Sequence, residues 1–171
     1  ETAAVGFGTA PSIISDGFYV AGNNSSIASN RFVYNFRQRG PAWAANSGPD
    51  LNTPAPLSLA HLGSSVAIAG TTAVLGAPDY GNHGAVFVYK QIPNVDPSLD
   101  PVWELQTQID APGFQTGDEF GASVAINGDY LIVGAPGRNG DTGGAYIYHR
   151  LSGQWTLQKE LNGNGAGERT G

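Results

Sequence analysis

The loop "GRNGDTGG" (Gly137 to Gly144) sets Asn139 and Asp141 among flexible glycines, an amide and a carboxylate placed to coordinate a cation or a sugar hydroxyl. Asp79, Tyr80 and Asn82 form a comparable group upstream. Ordinary turn chemistry accounts for the same letters, because Asn, Asp and Gly suit tight turns. The connection "QIPNVDPSLDPV" (91–102) carries Asp96 and Asp100 as its only charged groups and is a candidate contact surface for a partner, or a tolerated insertion. "NNSS" holds two overlapping Asn-x-Ser sequons, so Asn23 or Asn24 would carry a glycan in a eukaryotic secreted protein.

Other reactive side chains point to no chemistry. His61, His83 and His149 do not stand at metal-ligand spacing from one another and read as surface histidines. Ser64, Ser65 and Ser123 lie in "GSSVA" and "GASVA", which are not the Gly-x-Ser-x-Gly nucleophile elbow, and read as structural residues at strand starts. No catalytic residue, metal ligand or cofactor is expected.

The elements that carry these loops follow from composition and pattern. The chain has 171 residues, 40% apolar, enough for a domain with a core. Its 25 Gly and 11 Pro interrupt the sequence too often for long helices, and the fold reads as all-β. A net charge of −6 with eight Lys plus Arg provides no basic stripe for nucleic acid. Apolar runs break well before the ~20 residues a membrane span requires, so no membrane insertion is expected. Zero Cys excludes disulfides and thiolate chemistry. A chain that starts at Glu1 and holds no Met is expected to be a processed or excised product, and its composition leans towards an extracellular or cell-surface location.

Self-similarity organises the chain. "LGSSVAIAGTTAVLGAP" (Leu62 to Pro78) aligns with "FGASVAINGDYLIVGAP" (Phe120 to Pro136) at an offset of 58 residues (120 − 62). Leu62-Gly63 thus falls on Phe120-Gly121, and Gly76-Ala77-Pro78 on Gly134-Ala135-Pro136. "GAVFVYK" then matches "GGAYIYH", and "WELQTQI" matches "WTLQKEL". A worn copy opens at Phe7-Gly8 and continues through "SIISDGFYVAGN" and "RFVYNFR". Trp43, Trp103 and Trp155 take the same place in the three units. Repeats over about 7–61, 62–118 and 119–166 result, and 167–171, "GERTG", resembles the start of another.

Each unit reads as four strands. Asn127-Gly128 and Asp16-Gly17 suit type I′ hairpin turns, which need positive φ at both central residues. The runs Val66-Ala67-Ile68 and Val74-Leu75 are continuous rather than alternating, as in strands covered on both faces. Four-stranded units at this period, without helices, predict β-propeller blades.

The combination "FGASVAINGDYLIVGAP", "GGAYIYHR" and a following Trp resembles the FG-GAP repeat of integrin-α-like propellers and of bacterial and algal extracellular proteins. The resemblance implies a propeller and a role in adhesion, ligand or glycan binding, or protein–protein contact. Its calcium-binding repeats place an Asp-rich loop between the first two strands. Here those connections are only Asn127 to Asp129 and Ala69 to Thr72, too few oxygens for calcium.

Propellers close with about four to eight blades, so three blades are expected to be completed by a longer chain or by other copies. The first strands offer almost no polar groups to a central channel, which disfavours an enzyme. The alternatives are a structural subunit of a surface filament or layer and, from another class, a fragment of a propeller hydrolase or lyase.

Overall fold

The computed structural model describes the backbone of residues 5–14, 17–24, 31–39, 42–45, 61–96 and 101–163, and the side chains of residues 42, 61–96 and 101–163. Asp16, Asp100 and the 167–171 tail lie outside the described residues.

Every element of length is a strand. Val5–Ile14 (β1), Gly17–Asn24 (β2), Arg31–Arg39 (β3) and Ala42–Ala45 (β4) pair in chain order. Ser65–Ala69 (β5), Thr72–Ala77 (β6), Ala85–Ile92 (β7) and Val102–Asp110 (β8) form a second antiparallel sheet. Ser123–Asn127 (β9), Tyr130–Ala135 (β10), Gly144–Leu151 (β11) and Gln154–Asn162 (β12) form a third. The first strands are neighbours, with β1 beside β5 and β5 beside β9. Phe7, Gly8, Asn23 and Asn24 fall on β1 and β2. Trp43, Trp103 and Trp155 each stand second in a fourth strand.

The hairpins differ from the expected turns. Asn127 pairs with Tyr130, so the central residues are Gly128 and Asp129, and φ is positive only at Gly128 (58°). Gly70 (57°) has the same place between Ala69 and Thr72. Positive φ at the first central position alone is the type II′ pattern, which selects Gly there. The β11–β12 turn is the type I′ one, with positive φ at both Ser152 and Gly153. Gly17 pairs with Ile14 as the first residue of β2 and is likewise a flank rather than a turn centre.

Two apolar layers lie on opposite faces of the second sheet. Val66, Ile68, Leu75, Phe87, Tyr89 and Trp103 form one. On the other, Val74, Val86 and Val88 meet Leu131, Val133, Tyr146 and Tyr148 of the third sheet around Phe120. Burial of β6 is complete along its length, as its continuous apolar run predicts. The third sheet differs, because β9 and the first half of β10 alternate between covered and open positions. Ile132 takes the place of Val74, yet Ile132 is 46% exposed and Val74 0%. No sheet among the described residues lies over that face.

The β7–β8 and β11–β12 ladders carry the same irregularity. Val88 pairs with Thr107 and Tyr89 with Leu105, leaving Gln106 as an extra residue, and Gln158 is extra in the third sheet. Equivalent bulges at "WELQ" and "WTLQ" show that the repeat extends to backbone defects.

Candidate functional site

The signature residues close the seams of the structure. Gly63 N–H donates to the Gly76 carbonyl (2.8 Å), and Gly121 N–H donates to Gly134 (3.0 Å), so Phe-Gly and Gly-Ala-Pro of each repeat bond to each other. The ladders end at Ala77 and Ala135, before Pro78 and Pro136, which have no N–H to offer. Between repeats, Phe120 N–H donates to the His83 carbonyl (2.9 Å), and Ser65 Oγ donates to the Gly121 carbonyl (2.8 Å). The Phe120 ring is wholly buried, edge-on to Tyr146 at 5.2 Å. Gly121 has φ +90°, and a Cβ there would lie 2.6 Å from the Ala85 carbonyl oxygen. The motif thus works as a clasp that needs both a large apolar plug and a bare backbone.

The loops singled out for binding flank the connection between the second and third sheets. Gly117 N–H donates to the Asn82 carbonyl (2.7 Å), while Gly137 N–H donates to the Asp118 carbonyl (3.1 Å), so 117–120 runs between the two loops. Asp79 pairs with His61, and Tyr80 packs edge-on against Phe87 at 5.4 Å. Asn82, Asn139 and Asp141 adopt positive φ (64°, 54° and 67°), which Asn and Asp tolerate best among non-glycine residues. Asn139 Nδ2 donates to Asn162 Oδ1 (3.2 Å). Asp96 lies beyond the opposite end of β7, where its N–H donates to Asn94 Oδ1 (3.2 Å). Asp79, Asn82, Asn139 and Asp141 therefore share one end of the sheets, and Asp96 is separated from them by the length of a strand.

Sequence reasoning missed the most buried charge at that end. The Asp118 side chain is 2% exposed and accepts from Arg138 (3.1 Å) and from Gln115 N–H (2.7 Å). Arg138 also reaches Glu160 (3.2 Å) and the Gly113 carbonyl (2.8 Å), with its guanidinium 5.9 Å from the Tyr146 ring centroid. Its signal is the scarcity of basic residues, eight in the chain, which makes an Arg beside an Asn-Gly-Asp loop worth pairing. At the other end Arg150 holds Asp129 (2.8 Å) and Thr72 (2.9 Å), bridging the third sheet to the second.

Calcium does not fit the hairpins. Gly70-Thr71 offers no carboxylate, and the one carboxylate of Gly128-Asp129 already accepts from Arg150. Among the described residues no three His, Cys, Asp or Glu gather to hold a metal ion. His83 stacks on Phe114 at 3.8 Å and His149 on Tyr130 at 4.4 Å.

These features define an all-β repeat protein of face-packed four-stranded sheets held by glycine-dependent clasps. A family model described as FG-GAP repeat matches residues 103–148, so the chain carries an FG-GAP repeat. The match begins in β8 and ends in β11, straddling two sheets. A boundary of that kind fits residues whose role is to join one sheet to the next. No curated protein matches the chain.

Proposed function

We propose that this chain is a β-propeller segment that acts outside the cell as a non-enzymatic binding or assembly module. The observation that carries the reading is the contrast between equivalent faces. Val74 and Val88 of the second sheet are sealed by the third, whereas the matching Ile132 is exposed and Ile147 only half-buried. Another FG-GAP sheet is the cover that fits, because the same repeat already seals the same face one unit earlier. The Asn23 and Asn24 sequons and the low Lys content support a surface setting. The strands β5 and β9 carry no ionisable side chain towards the axis where first strands meet, which supports binding over catalysis.

Sedimentation of the chain alone tests this. It is expected to self-associate through the open face, and Ile132→Lys is expected to abolish association while far-UV dichroism stays the same. A compact monomer of 17.7 kDa that binds no apolar dye would overturn the reading.

A further inference from the structure

We propose that Asn127 is a modification site, at which the chain deamidates without an enzyme and forms isoaspartate at the hairpin between β9 and β10. Asn-Gly is the step most open to this reaction, because a glycine nitrogen approaches the preceding side chain with no Cβ in the way. Three such pairs fall among the described residues: Asn127-Gly128, Asn139-Gly140 and Asn162-Gly163. The fold treats them differently.

Two of the pairs are held. Asn139 Nδ2 donates to Asn162 Oδ1 (3.2 Å), which ties the two side-chain amides together. Gly163 N–H donates to the Gly143 carbonyl (3.0 Å), so the nitrogen that would attack Asn162 is occupied as well. At the remaining pair, neither the Asn127 side chain nor the Gly128 N–H has a hydrogen-bond partner among the described residues. Both residues are exposed, and a Cβ built on Gly128 meets nothing within 4 Å. The hairpin does not require the amide. Asn127 stands before the turn centre, positive φ begins at Gly128, and the matching residue of the second repeat is Ala69.

The chemistry balances with water as the only co-reactant. The Gly128 nitrogen gives its proton to solvent base and bonds to Asn127 Cγ, the Cγ–Nδ2 bond breaks, and ammonia leaves. Water then opens the cyclic imide. Opening at the side-chain carbonyl gives aspartate, whereas opening at the main-chain carbonyl gives isoaspartate, whose backbone runs through Cβ and Cγ. The lengthened backbone and new carboxylate fall on the residue that pairs with Tyr130, the last pair of the β9–β10 ladder. That end of the ladder is expected to open. Gly70, at the matching turn of the sheet covered on both faces, is exposed. A covering sheet therefore leaves such a turn within reach of water, and the inference does not depend on the cover for Ile132.

The test ages the folded chain in mildly alkaline buffer and maps it with trypsin, which cuts after Lys90, Arg138, Arg150 and Lys159 and puts the three pairs on separate peptides. Fragmentation assigns each site, and methyl transfer from S-adenosylmethionine by an isoaspartyl methyltransferase detects the product. Asn127 is expected to convert first, about fivefold faster than Asn139 or Asn162, the factor that one neutral hydrogen bond carries. In urea, where the bonds holding the other two are gone, that order should disappear. At one protein concentration the aged chain should show a lower thermal midpoint than the fresh one, and Asn127→Ala should keep its midpoint on ageing. Asn127 unconverted in the folded chain, Asn139 or Asn162 ahead of it, the same order in urea, an aged chain as stable as the fresh one, or an equal loss in Asn127→Ala would overturn the proposal. Conversion is read peptide by peptide and needs no self-association.

Discussion

Asp118 and Arg138 are the residues on which the seam between the second and third sheets depends most for its polar order. Removing one partner of a buried pair leaves the other charge uncompensated, whereas the pair itself adds little net stability. Asp118→Ala is therefore expected to lower unfolding free energy by about 3 kcal/mol in urea titration. Asp118→Asn should cost less, because an amide oxygen still accepts from Gln115 N–H. Glycines separate by what surrounds them. Gly128 (φ +58°) has nothing within 4 Å of a built Cβ, while Gly121 (φ +90°) would meet Ala85. Gly128→Ala should thus cost about 1 kcal/mol, the left-handed backbone penalty alone. Gly121→Ala should cost at least twice as much, because the sheets must also move apart. Thermal midpoints of the two variants measured side by side check the order.

The third strands carry the tyrosines that give the sheets their response to alkali. Tyr89 and Tyr146 are fully buried, and burial pushes each phenol up to about 12. Tyr148 is raised further by the same cause. None of the three hydroxyls has a hydrogen-bond partner among the described residues. A phenol whose folded pKa lies above its unfolded value of about 10 retains its proton longer when folded. The resulting stability is complete below about pH 10 and is lost as pH rises through about 12. Alkaline unfolding, followed by tyrosinate absorbance and dichroism together, is expected in that window. Tyr146→Phe should move the transition to higher pH, with stability at pH 7 unchanged or slightly raised, since it deletes an unpartnered hydroxyl and keeps the ring. The four-strand units were legible in the sequence because short apolar runs and the turn residues between them act within a few positions and recur at one period. Which hairpin residue takes positive φ was not, because Asn-Gly and Gly-Asp read alike until the ladder register is known.

At the scale of the whole molecule, stability follows the logic of repeats, in which each sheet is held by its neighbours and an end sheet lacks one of them. The second sheet is covered on both faces and the third on one. Association through the open face would make the thermal midpoint rise with protein concentration, because binding that occurs only in the folded state shifts its apparent stability. Ile132→Lys should remove that dependence. The candidate binding loops were legible as loops at corresponding places of two repeats. The bond that joins Ser65 to Gly121 was not, since it brings together positions 56 residues apart across the seam between repeats.

By itself, the sequence determined the repeat, the four-strand unit, the all-β class and the FG-GAP resemblance. All four are written in short local patterns recurring at one period, and a period survives without knowledge of any long-range contact. Only the tertiary structure decided that Phe120 plugs the space between sheets, that Gly121 must be bare, that Asp118 faces Arg138, and that one apolar face is sealed while its counterpart stands open. Those are properties of packing, in which identical letters receive different surroundings according to whether another sheet lies beyond them.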